Sequence, residues 1–456
     1  MLHVIDPTTG KTVHDWPKDD PTVVERKLAA AEAAFADWQG RSFAERAEVL
    51  RSVARVMRDD KQRLALLMTT EMGKPIREAR GEVEKAAWCA EHYADHAAAY
   101  LADEAIASDA QKSVVRYLPL GPVLGILPWN APFWLAFRFL APALMAGNTC
   151  LMKHDSHVPA CAQGMVDAFK QAGAPAGLVD TLFISGADSG SIIADDRIQA
   201  VSFTGSSGAG AKVATAAAAE LKPSVLELGG SDPAVILADA DLEEAAKLVA
   251  KSRIINAGQS CIAAKRIIVE RPVRDAFIDL LTAQLEILQV GDPRSEDTDV
   301  GPIARDDLRQ ELHRQVQETI AAGATCRLGG TLPEGDGFFY PVTLLTGVTN
   351  DMVACREETF GPIAVVVEAA DADEAVAIAN DTEFGLAASV WSQGERGLEV
   401  ADRLIAGQVV VNGIVKTDPR LPSGGIKKSG YGRELGPHGI REFVNVQQLW
   451  VGPSRG

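Results

Sequence analysis

The alternation of short apolar runs with helical segments beyond residue 120 constrains the fold most strongly. The first apolar runs of strand length occur at 123–127, 149–152, 181–184 and 200–203. Segments with a helical pattern follow them at 132–145, 159–172, 189–194 and 205–219. Strands and helices that alternate at this spacing are typical of a parallel sheet that is covered on both faces. The sequence therefore predicts an α/β fold.

A second alternating series predicts a second α/β unit beyond Gly229-Gly230. Its strands are predicted at 234–237, 265–269 and 363–367, and its helices at 242–255, 273–288 and 306–322. The first hundred residues are predicted to be helical, at 24–38, 43–70 and 82–101, with a break at Gly73-Lys74-Pro75. Two further strands are predicted at 113–118 and 443–451.

Charge and composition exclude several classes of protein. The chain has 456 residues, a formal charge of -17 and 47% hydrophobic residues, as expected for an ordinary globular protein. The negative charge argues against nucleic-acid binding, which needs a basic surface. No secretory leader is visible near Met1, and every apolar run is interrupted before it is long enough to cross a bilayer. We therefore expect neither a nucleic-acid partner nor a membrane.

The six cysteines are scattered along the chain. They occur at positions 89, 150, 161, 261, 326 and 355, without a Cys-x-x-Cys pair or a Cys/His cluster at zinc spacing. We therefore expect no metal site. Unpaired thiols are typical of a reducing compartment, so the expected location is cytoplasmic.

Two strand ends in the first series carry residues that suit a phosphate group. Gly205 and Ser206 lie where a strand enters a helix, and backbone N–H groups at a helix start attract phosphate. The stretch does not match the G-x-G-x-x-G fingerprint, so a glycine turn with a helix cap is an alternative. Lys153 and Ser156 end another strand, at the edge where parallel sheets bind ligands. An exposed lysine at a strand end is the competing interpretation.

A stripe of polar and aromatic residues begins just before the helix at 132–145. Asn130, Trp134 and Arg138 are four residues apart and therefore share one face. The Asn130 amide can donate a hydrogen bond to a developing oxyanion, and it can equally cap the helix. Arg138 would then pair with a carboxylate of the substrate. A solvated arginine is the alternative, although an unpaired charge would be costly on so apolar a helix.

Cys261 and Glu227 are the candidates for a nucleophile and its base. Cys261 lies in a loop that contains Gly258, and Glu227 lies between Leu226 and Leu228 at the end of an apolar run. A thiol with a carboxylate base indicates covalent catalysis through a thiohemiacetal or thioester. Each residue alone has a structural alternative, namely a small buried hydrophobe or a hydrogen-bond acceptor.

Taken together, these motifs resemble those of the aldehyde dehydrogenase superfamily. The resemblance covers nearly the whole chain and rests on the order of Pro128-Trp129-Asn130, Lys153, Phe203-Thr204-Gly205-Ser206, Glu227-Leu228-Gly229-Gly230, Gly258-Gln259-Ser260-Cys261 and Glu357-Glu358-Thr359-Phe360-Gly361-Pro362. Three further stretches resemble the bacterial NAD(P)-dependent succinate-semialdehyde dehydrogenase branch of this superfamily: 263–266, 418–422 and 424–430.

The resemblance implies two Rossmann-type α/β domains with parallel sheets and a β arm for oligomerisation. The implied parts are a cofactor-binding domain, a catalytic domain, the arm, and a segment that returns to the cofactor domain: 1–107 with 119–228, 229–412, 108–118 with 437–456, and 413–436. A homodimer or homotetramer is implied as well.

The resemblance also implies a role for each motif. Cys261 would attack the aldehyde, Asn130 would hold the oxyanion, and Glu227 would activate the hydrolytic water. The cofactor would be NAD or NADP, with Glu358 on the nicotinamide ribose and Phe360 near the nicotinamide. The full set of implied cofactor contacts is Trp129, Lys153, Ser156, Gly205, Ser206, Leu228, Glu358 and Phe360.

Two positions depart from the family pattern. Ser156 stands where many members carry an acidic residue that pairs with the adenosine ribose, which leaves room for a 2′-phosphate. Ile255 stands where some succinate-semialdehyde enzymes carry a second arginine, so Arg138 would hold the substrate carboxylate beside Trp134 and Thr417. The expected reaction is the oxidation of succinate semialdehyde, or a similar ω-carboxylate aldehyde, to the acid.

Three alternatives stay open at this point. An enzyme of the same superfamily for uncharged aliphatic or aromatic aldehydes is favoured by Trp134 and Phe137. A catalytically silent cofactor-binding homologue is disfavoured by the joint presence of Cys261, Glu227 and Asn130. A CoA-acylating enzyme would not need Glu227 as a hydrolytic base.

Overall fold

The computed structural model describes residues 1–452. The α-helices of this range are α1 (Pro21–Trp38), α2 (Phe43–Asp59), α3 (Lys61–Met72), α4 (Ile76–Tyr100), α5 (Pro132–Ala146), α6 (Pro159–Gln171), α7 (Ser189–Ala194), α8 (Ser207–Ala219), α9 (Leu242–Ile254), α10 (Arg274–Glu286), α11 (Asp306–Ala321), α12 (Val353–Arg356), α13 (Ala372–Asn380), α14 (Arg396–Ala401) and α15 (Gly436–Arg441). None of these helices combines the length and the apolar character that a membrane crossing requires.

The strands of the same range follow the same order along the chain. They are β1 (Leu2–Asp6), β2 (Lys11–Trp16), β3 (Glu104–Ala105), β4 (Lys112–Pro119), β5 (Pro122–Leu127), β6 (Thr149–His154), β7 (Val179–Thr181), β8 (Ala200–Thr204), β9 (Ser224–Glu227), β10 (Pro233–Ile236), β11 (Arg266–Glu270), β12 (Thr325–Leu328), β13 (Thr343–Val348), β14 (Ile363–Ala369), β15 (Ala387–Trp391), β16 (Gln408–Val411), β17 (Gly430–Tyr431) and β18 (Val444–Val451).

The first sheet has six strands in the order β17-β9-β8-β5-β6-β7. The pairs are parallel except that β17 runs antiparallel to β9. Alternate residues of β5 face different cores: Val123 and Leu127 pack with α2 to α6, whereas Leu124 and Ile126 pack with α1, α7 and α8. Because both faces of β5 are buried, its sequence is a continuous apolar run.

The second sheet has seven strands in the order β12-β13-β14-β11-β10-β15-β16. Its pairs are parallel except for β12, which runs antiparallel to β13. Its core includes residues of α9, α10, α11, α13 and α14. Two parallel sheets with helices on their faces confirm the predicted α/β class.

The remaining strands form two antiparallel units. One sheet has the order β18-β4-β3, in which β18, the last strand of the described residues, pairs with β4 along its full length. The other is the hairpin of β1 and β2, which closes through Gly10 at φ 67°.

The structure corrects several sequence-based expectations. The hairpin of β1 and β2 was not expected, because the first hundred residues had been interpreted as helical. The helix expected at 43–70 is two helices, since Asp60 leaves the helical conformation at φ -99° and ψ 12°. The strand expected at 181–184 lies earlier, at Val179–Thr181.

Candidate active site

Cys261 lies in a tight loop between α9 and β11. The preceding residues Asn256 (φ 56°), Ala257 (φ 54°) and Gly258 (φ 74°) adopt left-handed backbone conformations. This conformation is costly for residues with a side chain and persists only where the surroundings fix it. A Cβ at Gly258 would also lie 2.2 Å from the carbonyl oxygen of Gly361. The glycine before the cysteine is therefore required both by its backbone conformation and by close packing.

Buried side chains hold this loop in place. The backbone N–H of Asn256 donates to Oε2 of Glu78 at 2.7 Å. The side-chain amide of Asn256 donates to the carbonyl oxygens of Asn130 (2.8 Å) and Gln259 (3.1 Å). Arg253 donates to one carbonyl oxygen in this loop and to another just before β14, each at 2.6 Å. These hydrogen bonds offset the backbone strain, so the loop carries Cys261 in a fixed position.

Asn130 lies directly against the nucleophile loop and does not cap α5. Its Nδ2 donates to the carbonyl oxygen of Gln259 at 3.1 Å. The start of α5 is instead capped by Glu82 of α4, whose Oε1 accepts hydrogen bonds from two backbone N–H groups at 2.9 and 3.2 Å. Lys74 pairs with Glu82 and also donates to the Asn130 carbonyl at 2.9 Å. Because an amide nitrogen carries two hydrogens, Asn130 has one left for an oxyanion.

A cavity of about 390 Å³ opens beside the loop. Residues that were selected from the sequence for different reasons share its walls: Cys261, Asn130, Trp134, Arg138 and Thr417. Cys261 is half-buried and contributes to the cavity wall. Cavities of this size hold small-molecule ligands.

The environment of Cys261 suppresses its ionisation at rest. Burial raises the pKa of the Cys261 thiol to about 12, although Lys265 and Arg138 act in the opposite direction. The thiol is therefore protonated at neutral pH, and it becomes a strong nucleophile only when a base takes its proton. Within residues 1–452 the backbone N–H of Cys261 donates to no backbone carbonyl, so it is free to meet an oxyanion.

Arg138 is not a free guanidinium, and this corrects its expected role. Its Nη2 donates to Oε2 of Glu227 at 2.5 Å, and its Nε lies 2.5 Å from Oε2 of Glu434. Every residue of α5 is buried, and Arg138 is only 2% exposed. A charge in such a place needs an opposite charge nearby. The expected partner was a substrate carboxylate, whereas the structure shows two protein carboxylates.

Glu227 ends β9 and is held through only one of its two oxygens. It lies outside the cavity wall and is joined to that wall by Arg138. Its other oxygen, Oε1, is buried and has no hydrogen-bond partner among the residues that the structure describes. Burial raises the pKa of the neighbouring Glu434 to about 7, with Arg138 opposing and Glu227 reinforcing the rise. Because Oε1 of Glu227 has no partner among the described residues, it remains available as an acceptor for a water molecule.

Lys153 and Ser206 belong to strand ends that flank β5 in the first sheet. Lys153 is buried, which lowers the pKa of its ammonium group, and it forms no ion pair with a described residue. Ser206 caps α8 by accepting a hydrogen bond from the N–H of Ala209 at 3.4 Å. The hydroxyl of Thr204, at the end of β8, is buried without a partner among residues 1–452. Unfilled polar groups at this edge fit the phosphates and ribose of a dinucleotide.

Gly205 and Leu228 shape the start of α8. A Cβ at Gly205 would lie 2.7 Å from the ring of Phe203, and one at Gly210 would lie 2.5 Å from Leu228. The helix start is therefore packed closely against the sheet.

Ser156 lies beside a carboxylate that is already engaged. Asp155 accepts hydrogen bonds from the backbone N–H of His157 at 3.0 Å and forms a 2.6 Å contact with its Nδ1. The Asp155 carboxylate beside Ser156 is therefore already occupied by His157.

Glu358, Phe360 and Trp129 lie on the other side of the nucleophile loop. Oε1 of Glu358 accepts a hydrogen bond from the N–H of Gly230 at 3.1 Å, and Nζ of Lys265 lies 3.2 Å from it. The ring of Phe360 packs edge-on against Trp129 with centroids 5.8 Å apart. Lys265 also donates to the carbonyl oxygen of Cys261 and therefore links the Glu358 carboxylate to the nucleophile loop.

Sequence reasoning missed three residues that organise the site and misplaced one. Glu82 and Lys85 lie on one face of α4, and Glu434 lies far along the chain beside Arg138. Little in the sequence indicated Glu82 and Lys85, because α4 carries charged residues along much of its length. Phe137 was expected to favour uncharged substrates, but it is fully buried and stacks on Phe169 with centroids 6.0 Å apart.

Comparison with known proteins agrees with this geometry. The model of the aldehyde dehydrogenase family matches residues 1–449. A relative from Synechocystis sp., named a probable NADP(+) succinate-semialdehyde dehydrogenase, is 47% identical over 451 residues, which cover 99% of each chain. A relative from Mycobacterium tuberculosis, named NADP(+) succinate-semialdehyde dehydrogenase 1, is 45% identical over 454 residues, again covering 99% of each.

Solved structures show the same fold. Succinic semialdehyde dehydrogenase from Streptococcus pyogenes, solved in complex with NADP+, has a TM-score of 0.97 at 33% identity. The match covers 99% of this chain and 100% of that chain. On its fold, its motifs and these relatives, the chain belongs to the aldehyde dehydrogenase family of NAD(P)-dependent oxidoreductases.

Proposed function

We propose that the protein oxidises a small aldehyde with a distal carboxylate, succinate semialdehyde being the main candidate, to the carboxylic acid. The observation that carries this proposal is one cavity whose walls contain Cys261, Asn130 and the cation Lys85. A thiol beside an amide donor suits attack on a carbonyl, and cations suit a carboxylate at the other end. The relatives named succinate-semialdehyde dehydrogenase support the same substrate class.

The first step is attack of Cys261 Sγ on the aldehyde carbon. The new carbon–sulfur bond moves the carbonyl electron pair to oxygen, while a base takes the thiol proton. The second amide hydrogen of Asn130 and the backbone N–H of Cys261 are available to hold the resulting oxyanion. Both groups belong to rigid parts of the site, so they stabilise the transition state without reorganising.

The residues at the strand ends fit NAD or NADP. Lys153, Ser156 and Ser206 would hold its adenosine ribose and phosphates, and Glu358 its nicotinamide ribose. When bound, the nicotinamide supplies the hydride acceptor that converts the thiohemiacetal into a thioester. Phe360 and Trp129 would confine the ring beside Cys261.

Glu227 completes the turnover. Its oxygen Oε1 takes a proton from water, and the resulting hydroxide attacks the thioester carbon and releases the acid and the Cys261 thiolate. Arg138 holds the other oxygen and therefore orients the base. This role for Glu227 favours hydrolysis over acyl transfer to CoA.

NADP is the preferred cofactor in this proposal. Lys153 has no carboxylate partner among the described residues, Ser156 adds a hydroxyl, and Asp155 is engaged by His157. A 2′-phosphate fits such a place, whereas an acid at 156 would repel it. We expect Ser156→Glu to lower kcat/KM for NADP by roughly 10- to 100-fold and to spare NAD, with Ser156→Ala as the matched control. An equal loss with both cofactors would contradict this assignment.

A substrate panel with both cofactors tests the function as a whole. Absorbance at 340 nm should rise with succinate semialdehyde and less with butanal, its uncharged four-carbon counterpart. A preference for butanal or benzaldehyde would establish the uncharged-aldehyde alternative, which Trp134 supports. No reduction with any aldehyde would indicate a catalytically silent homologue, and a CoA-dependent thioester product would indicate the acylating class.

We further propose the domain division and assembly that the family implies. The six-stranded sheet would form the cofactor-binding domain (1–107 with 119–228, rejoined by 413–436), and the seven-stranded sheet the catalytic domain (229–412). The described part of the arm contains β4 and β18, where Val446 and Trp450 are exposed and would pack in a homodimer or homotetramer. The six free cysteines support a cytoplasmic location. Light scattering of the purified protein measures the assembly, and a monomer would contradict it.

A further inference from the structure

Lys85 of α4 lines the same cavity as Cys261 and is a cation without a counter-charge. Its Nζ donates to Oγ1 of Thr417 at 3.0 Å and lies 4.1 Å from the centroid of the Trp134 ring. Among the residues that the structure describes, no carboxylate forms an ion pair with it. An ammonium group has three hydrogens, so two of them remain without an acceptor.

Thr417 offers a second unused donor at the same place. Its Oγ1 accepts one hydrogen bond from Lys85 and another from Nε1 of Trp134 at 2.9 Å. A hydroxyl has two acceptor positions and one hydrogen. Since both acceptor positions are filled, the hydrogen of Thr417 points to a further acceptor, and none is found within residues 1–452. Thr417 is only 5% exposed, so bulk water is not an adequate substitute.

The Arg138 cluster cannot play this part. Its one positive charge lies between the carboxylates of Glu227 and Glu434. A third carboxylate would therefore enter a buried group that is already neutral or negative, and desolvation would not be offset.

We propose that Lys85 and Thr417 bind the distal carboxylate of the substrate and set its specificity, while Trp134 confines the chain between carboxylate and aldehyde. This inference rests on the proposed function, because it names the group that recognises the charged end of that substrate. Two hydrogens of Lys85 and one of Thr417 can meet two carboxylate oxygens, which is a charge-assisted contact.

The ionisation of Lys85 suits such a role. Burial lowers the pKa of Lys85 to about 8, and Arg138 lowers it further, whereas Glu82, Cys89 and Asp418 raise it. The ammonium form predominates at neutral pH, and a bound carboxylate stabilises it.

The test compares succinate semialdehyde with butanal at saturating NADP, using Lys85→Met and Lys85→Arg. Methionine keeps the apolar contact with Trp134 and removes the charge. We expect Lys85→Met to lower kcat/KM for succinate semialdehyde by roughly 10- to 100-fold, mainly through a higher KM. The value of kcat/KM for butanal should change less than about threefold. Lys85→Arg should restore most of the loss. Lys251→Met, at an exposed lysine of the same cavity, is the matched control. It should change kcat/KM little for either substrate.

The outcomes separate this inference from the proposed function. A wild-type enzyme that does not prefer succinate semialdehyde overturns both. A wild-type preference that survives Lys85→Met overturns the Lys85 assignment alone, as does an equal loss on both substrates.

The pH dependence of the unmodified enzyme gives the same test if Lys85→Met fails to fold. The quantity to measure is the ratio of kcat/KM for succinate semialdehyde to that for butanal. Because Cys261 attacks both aldehydes, the effect of its ionisation cancels in this ratio. We expect this ratio to be constant below pH 8 and to fall above it, because Lys85 loses its charge as the pH rises through its pKa. A ratio that stays constant to pH 9.5 contradicts the proposal.

Discussion

Two basic residues line one cavity but have opposite surroundings. Arg138 is fully buried in α5 and lies between Glu227 and Glu434, so its charge is neutralised by the protein. Lys85 is half-buried in α4; its Nζ contacts the Thr417 hydroxyl and the Trp134 ring, and no described carboxylate forms an ion pair with it. The first region therefore holds Glu227, the proposed base, in place, and the second is suited to bind an anion from outside.

The difference shows that the spacing of residues along a helix predicts which side chains share a cavity wall. It does not predict which of their charges lack an ion-pair partner in the protein. Arg138 was placed on the right face by its four-residue spacing from Trp134 and Asn130. Its partner Glu434 comes from a distant segment, and only the folded chain brings the two together. A charge is available to a ligand only when the protein leaves it unpaired.

The largest expected effect that sharpens this comparison comes from Glu227→Gln, which changes the carboxylate held by Arg138. Loss of the base should slow thioester hydrolysis, so that kcat falls by about 10²- to 10³-fold with either aldehyde. Stopped-flow absorbance at 340 nm should then show a burst close to one NADPH per active site. A slow rate without a burst would mean that Glu227 acts before hydride transfer instead.

A smaller effect is expected from Arg138→Met. It leaves two buried carboxylates without their cation, which should destabilise the fold by about 3–5 kcal/mol and lower kcat by roughly 10- to 100-fold. Because Arg138 acts through Glu227, succinate semialdehyde and butanal should lose activity alike. A loss of activity with succinate semialdehyde but not with butanal would indicate that Arg138 binds the substrate carboxylate. Thermal unfolding and the two KM values distinguish these results.

The smallest expected effect concerns Thr417→Val, which removes the hydroxyl and keeps the shape. It should lower kcat/KM for succinate semialdehyde by about 10-fold and leave butanal nearly unchanged. Thr417→Ser keeps the hydroxyl and should behave like the unmodified enzyme. Equal losses on the two substrates would indicate that Thr417 only supports Trp134.

Much of the fold was accessible from the sequence because buried parallel strands have a simple apolar pattern. The strands β5, β6, β8, β10, β11 and β14 were predicted near their observed bounds, and so were α5, α8 and α9. The hairpin of β1 and β2 was missed because its strands are short and only two of their apolar residues, Leu2 and Val4, are buried.

The site was less accessible than the fold, for a physical reason. Cys261 and Asn130 could be selected because their motifs precede or follow regular elements, and Thr417 through the family resemblance. Lys85 could not, since a lysine on a long helix usually lies in solvent and no motif distinguishes it from the other charged residues of α4. Its role emerges only when α4 packs against α5 and the segment that carries Thr417.

The most direct test of the account is rapid quenching of the Glu227→Gln protein after mixing with succinate semialdehyde and NADP, followed by peptide mass spectrometry. We expect a succinyl group on Cys261, in an amount that matches the NADPH formed in the burst. Acylation of another cysteine, or NADPH formation without any acylated cysteine, would contradict the covalent mechanism at Cys261.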